Sequence, residues 1–105
     1  MMSRNEILIM IKKAVAAIVP KADVILYGSY ARGEEKAKSD IDVLILLDKD
    51  EISLKDEMKI AYPLYDIEYL TGIIISPLVL SKKDWQKKHK ITPFYENILN
   101  EGVVL

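Results

Sequence analysis

The stretch Ile41 to Leu47 limits what this chain can fold into more than any other. It reads Ile-Asp-Val-Leu-Ile-Leu-Leu, apolar and rich in β-branched residues, with one acid at its second position. A strand with one face in water alternates apolar and polar residues. This run is apolar at consecutive positions and suits a strand covered on both faces. Half of the 105 residues are hydrophobic, so a proper core is expected and disorder is not. The length suits a single domain over 1–105.

The remaining elements follow from caps and periodicity. Ser3 with Glu6 three residues later is a capping-box start, and Ile7, Ile11, Ala14 and Ile18 recur at helical spacing until Pro20. Ala22 to Tyr27 reads as a strand ended by Gly28, followed by a short helical turn over 29–34 and a polar loop over 34–39. Ser53 with Asp56 is a second capping signal. Leu54, Met58, Ala61 and Tyr65 fit one face of the helix it starts, as do Ile60, Leu64 and Ile67. Pro63 is expected to kink or divide that helix, and Gly72 to cap its end. Ile73 to Leu80 reads as a third strand, where Pro77 argues for an edge position or a bulge. Ser81 is placed to cap a short Lys-rich helix. Thr92-Pro93 starts a last helix running to about Asn100, and Val103 to Leu105 is read as a terminal strand. The pattern predicts an α/β (α+β) chain: a small sheet of three to five strands with helices packed on it.

Composition excludes several classes. There is no cysteine, so disulfides and thiolate metal sites are out and nothing points to an oxidising compartment. No apolar stretch approaches the ~20 residues of a membrane span. The polar start is a poor signal peptide, and cytoplasm is the expectation. Lys plus Arg total 15 against 16 Asp plus Glu, a formal net charge of −1, whereas a nucleic-acid binder usually shows a basic excess. Lys82, Lys83, Lys87, Lys88 and Lys90, with His89, read as a solvated face. Trp85, Phe94 and Tyr95 read as packing residues.

The candidate chemistry lies where the first two strands meet their loops. Residues 28–33 are Gly-Ser-Tyr-Ala-Arg-Gly, and residues 39–42 are Ser-Asp-Ile-Asp. Asp40 and Asp42 are two apart, so on a strand both carboxylates share a face and can reach one cation. Oxygen ligands without His or Cys suit Mg²⁺ or Mn²⁺, and Mg²⁺ typically takes one or two protein carboxylates and fills its other positions with water and phosphate oxygens. Gly28 permits close backbone approach. Ser29, opening a short helical turn, offers amides and a hydroxyl to an anion. Arg32 carries a charge that can pair with phosphate oxygens. A triphosphate carrying a metal needs both groups side by side.

These two segments resemble the signature of the DNA polymerase β nucleotidyltransferase superfamily, in the form of its small branch, the minimal nucleotidyltransferases. The resemblance implies a mixed sheet flanked by helices and Mg²⁺-dependent transfer of a nucleoside monophosphate from an NTP, ATP foremost, to an acceptor hydroxyl. By position it implies that Gly28 and Ser29 bind the triphosphate, that Asp40 and Asp42 bind metal and are catalytic, and that Arg32 contacts phosphate. Many relatives pair with a small helical HEPN-domain protein as antitoxin to its toxin, and some modify a tyrosine of that partner with AMP. The superfamily normally adds a third carboxylate on a later strand. Here that strand holds no acid, and the expected position falls close to Ile74. Three explanations stand: the substrate or partner supplies the group, Asp66 or Glu68 swings in, or the protein is a non-enzymatic nucleotide-binding partner.

Overall fold

The computed structural model describes residues 2–87 and 90–105. In chain order it contains α1 (Arg4–Ile18), β1 (Asp23–Tyr27), α2 (Gly28–Arg32), β2 (Ile41–Leu47), α3 (Leu54–Thr71), β3 (Ile75–Ser81), α4 (Lys82–Lys87), α5 (Pro93–Glu101) and β4 (Val103–Val104). The sheet order is β3-β2-β1-β4. β1 runs antiparallel to β2 and to β4, and β2 runs parallel to β3. This is a mixed sheet flanked by helices, as expected. Lys88 and His89 of the basic run lie outside the described residues.

The caps form as their residues require. Ser3 and Glu6 make both halves of a capping box on α1, as do Ser53 and Asp56 on α3. The Thr92 hydroxyl accepts from the Tyr95 N–H, with Pro93 in the first turn of α5. β2 is central, and all of it is buried except the partly exposed Asp42. Its residues Ile41, Val43, Ile45 and Leu47 join Val24, Leu26, Ile75 and Val79 in the larger core, against Ile7, Ile11 and Val15 of α1 and Ile60, Leu64 and Ile67 of α3. On the opposite face, Leu44 and Leu46 pack with Trp85, Tyr95 and Ile98. The strand is therefore covered on both faces, by α1 and α3 on one side and α4 and α5 on the other. Trp85 and Tyr95 are packing residues, with ring centroids 4.7 Å apart.

Two details differ from expectation. α3 runs undivided through Pro63. Proline removes the N–H that would meet the Lys59 carbonyl, but Ile60, Leu64 and Ile67 on either side of it are all packed in the core, which holds the helix together across it. Only the Ile60, Leu64 and Ile67 stripe of α3 enters the core; Leu54, Met58, Ala61 and Tyr65 line an outer groove of about 310 Å³ with Pro77, Leu78 and Val79.

The second difference is that β3 begins at Ile75 rather than Ile73. It is an edge strand, as Pro77 suggested. The Ile41 N–H donates to the Ile74 carbonyl at 2.8 Å, so that carbonyl faces β2. In a trans peptide the Ile75 N–H must then face the other way. Glu68 Oε1 meets it at 2.7 Å. Pro77 has no N–H to offer on that same outer side, which blunts the edge against pairing with another chain.

Candidate active site

β1 ends and β2 begins at one end of the sheet, and this brings the two sequence segments together. The register pairs Tyr27 with Asp42 and Asp42 with Ser76. Neighbours across paired strands present their side chains on the same face. Tyr27, Asp42 and Ser76 therefore form a row across three strands, on the face that Leu44 and Leu46 turn toward α5. Carried one residue beyond the strand ends, the same register sets Ile74 beside Asp40. Ile74 is 58% exposed.

The turn and the acid pair are in contact. Gly28 has φ +73°, and a Cβ built on it would lie 2.5 Å from Asp42 Oδ2. Any side chain there would push the end of the Asp42 carboxylate aside, while the positive φ is what holds the position to glycine. Ser29 follows in the first turn of α2. The N-cap of that helix, Tyr27, makes no side-chain cap hydrogen bond, and among the described residues no side chain accepts from its first N–H groups. The Glu34 N–H donates to the Ser29 carbonyl at 2.9 Å. Ser39 turns the loop, its hydroxyl accepting from the Lys36 N–H at 2.8 Å.

Arg32 lies at the end of α2 and is tied elsewhere. Its guanidinium pairs with Glu34 at 2.9 Å and with Glu101 of α5 at 3.3 Å. Of the five residues read from sequence, Gly28, Ser29, Asp40 and Asp42 come together, while Arg32 sits on an exposed ion-pair network beside them.

The electrostatics of the pair are uncompensated. Burial, and then the charge of Asp40, push the Asp42 carboxyl above the ordinary carboxylate range. The neighbouring Tyr27 phenol is pushed up by burial and then by Asp42. Among the described residues no lysine or arginine pairs with Asp40 or Asp42. Two hard oxygen donors sharing a face with no protein cation between them fit a divalent ion of the Mg²⁺ or Mn²⁺ type.

No third acid joins them. Among the described residues there is no group of three or more His, Cys, Asp or Glu side chains placed to hold a metal. Asp66 and Glu68 belong to α3, which packs on the opposite face of the sheet, and Glu68 is engaged at the outer edge of β3. Neither is placed to swing toward Asp40 and Asp42. Ser76 is the polar residue that sequence reasoning passed over. Its place beside Asp42 follows from the β2–β3 register, which no local signal in the chain encodes.

Comparison with known proteins gives the family. Residues 8–105 match the family model for the nucleotidyltransferase domain. The chain is 40% identical over 102 residues to MJ0141 of Methanocaldococcus jannaschii, named as a candidate protein adenylyltransferase, covering 93% of this chain and 94% of that protein. It is 38% identical over 85 residues to a second such protein of that organism, MJ0604, covering 78% and 75%. Two solved structures share the fold. One is a candidate nucleotidyltransferase from Sulfolobus solfataricus, with TM-score 0.58 and 23% identity over 94% of this chain and 76% of that one. The other is a toxin–antitoxin structure with AMP-PNP, with TM-score 0.65 and 18% identity over 97% and 72%. The family-model match over residues 8–105 and the 40% identity over nearly the whole chain make this chain a member of the nucleotidyltransferase-domain family.

Proposed function

We propose that this chain, acting as one domain over 1–105 in the cytoplasm, transfers a nucleoside monophosphate from a metal-bound NTP to a hydroxyl on a protein partner: the hydroxyl oxygen bonds the α-phosphorus, the bond to the β-phosphate breaks and pyrophosphate leaves. The observation that supports the reading is the close approach of Gly28 to the Asp42 carboxylate; on this reading an anion-binding turn adjoins a cation-binding pair. Asp40 and Asp42 hold Mg²⁺ or Mn²⁺. Gly28 and Ser29 hold the triphosphate, and Arg32 contributes a phosphate contact when it leaves Glu34 or Glu101. A divalent ion bound there supplies neutralisation of charge on the phosphate oxygens. The chain's own residues orient the nucleotide, which is most of what phosphoryl-type transfer asks of a protein.

ATP is the favoured nucleotide and a protein the favoured acceptor, because the curated relatives are named protein adenylyltransferases. A helical toxin of the HEPN class, modified on a tyrosine, is the favoured partner; the toxin–antitoxin structure among the fold neighbours supports a toxin partner. Nucleic acid is not expected as a direct partner, given the formal net charge of −1. No described helix is long and apolar enough to cross a membrane. The test is labelled ATP with Mg²⁺ and the co-expressed product of the adjacent open reading frame. Label on the partner, lost in Asp40→Asn/Asp42→Asn, is the expected result.

One observation favours a second reading. The described residues place no third carboxylate at the pair, and an activating base is what acceptor chemistry needs. A non-enzymatic nucleotide-binding antitoxin keeps Mg-NTP binding and labels no partner.

A further inference from the structure

Ser76 stands in the row Tyr27–Asp42–Ser76 set by the strand register. Paired strands lie ~4.8 Å apart, so its Cβ is a close neighbour of the Asp42 Cβ on the same face. Ser76 is partly exposed, and none of the hydrogen bonds among the described residues uses its hydroxyl. Its flanking residues are fixed: Ile75 is buried in the larger core, and Pro77 restricts the conformation of the residue before it. Ser76 therefore holds its direction without spending its hydroxyl on the fold.

We infer that the Ser76 hydroxyl is the third oxygen of the metal and triphosphate face, beside Asp42. The inference rests on the proposed nucleotide chemistry and goes beyond it in naming the residue and its consequence. Two carboxylates and a hydroxyl carry a charge of −2 where three carboxylates would carry −3. Such a site holds a divalent ion weakly alone and well when phosphate oxygens complete its coordination. Metal and NTP then bind together, and the face is not charged with metal beforehand.

The experiment is Mn²⁺ titration of the full chain by calorimetry, with metal alone and with a non-hydrolysable ATP analogue. Wild type is expected to bind Mn²⁺ far more tightly with the analogue than without it. Ser76→Ala is expected to weaken Mn²⁺ binding in the presence of analogue by about 3- to 10-fold, the range for one lost hydrogen-bond-strength contact, while the apo melting temperature stays unchanged. Ser76→Asp is expected to tighten binding of Mn²⁺ alone by about 10-fold or more. If Ser76→Asp is unstable as apoprotein, Mn²⁺ alone is expected to restore its melting temperature. Wild-type affinity in Ser76→Ala overturns the inference, as does Ser76→Asp with no response to Mn²⁺ alone. A wild type that binds no Mn²⁺ with analogue overturns the nucleotide reading instead. In that case Ser76→Asp still decides the geometry: a gain for Mn²⁺ alone supports Ser76 facing the pair, and no gain overturns it.

Discussion

Asp42 keeps its proton more readily than an ordinary carboxyl, first because it is partly buried and then because Asp40 is beside it. A carboxyl whose folded pKa is raised contributes stability that is fully present below its unfolded value of 3.8 and is lost as pH rises through the folded value. At neutral pH the metal-free pair thus works against the fold. Asp42→Asn is expected to raise the melting temperature of the apoprotein at pH 7 by about 1–3 °C, and the gain should shrink as pH falls toward 3.8. A lower melting temperature at pH 7 contradicts the account. The two left-handed glycines of α2 give a cleaner contrast. Gly28 and Gly33 have φ +73° and +70°, but a Cβ on Gly33 meets nothing within 4 Å. Gly28→Ala and Gly33→Ala should each cost about 1 kcal/mol in backbone strain. Only Gly28→Ala should also abolish stabilisation by Mg-ATP, because only there does the new methyl displace the carboxylate. Equal nucleotide responses in the two variants, read by thermal denaturation, sink the claim that the turn and the pair form one site.

At the scale of elements, α3 depends on its N-terminal box. The Asp56 carboxyl is held down to about 2 by Lys49, then by the Ser53 backbone and hydroxyl. Its contribution is present above the unfolded 3.8 and is lost as pH falls toward 2, the opposite sense to Asp42. Ser53→Ala is expected to cost about 1 kcal/mol and to lower the melting temperature by about 4–8 °C. An unchanged denaturation midpoint would mean the box is frayed in solution. These boxes were readable in the chain because a cap is a local contract between residues three apart. So were β2, through its unbroken apolar run, and the edge position of β3, through Pro77. The survival of α3 across Pro63 was not readable, since the packing of Ile60, Leu64 and Ile67 that holds the helix together is tertiary. Nor was the duty of Glu68, whose partner at Ile75 is brought to it by the packing of α3 against β3. Ser76 was missed for the same reason, a register that only the assembled sheet defines.

At the scale of the whole molecule, Asp40 and Asp42 meet the Gly28 turn only because β1 and β2 are antiparallel neighbours. The motif predicted that proximity; the full order β3-β2-β1-β4 rests on long-range strand pairing that no local signal encodes. Co-expression with the adjacent open reading frame is expected to give one co-eluting species by size exclusion. Independent elution of both proteins at micromolar concentration would count against a stable partner. The central claim, that the turn and the acid pair together bind a metal–triphosphate, is tested most directly by thermal denaturation with Mg²⁺ or Mn²⁺, each NTP, and both together. A ligand at a hundred times its dissociation constant adds ~2.7 kcal/mol, which in a chain of 105 residues raises the melting temperature by roughly 10–20 degrees. The account predicts that rise for wild type with metal and ATP together, a smaller response to either alone, and none in a folded Asp40→Asn/Asp42→Asn. A flat response across ATP, GTP, CTP and UTP with both metals, or an equal rise in the double variant, would contradict it.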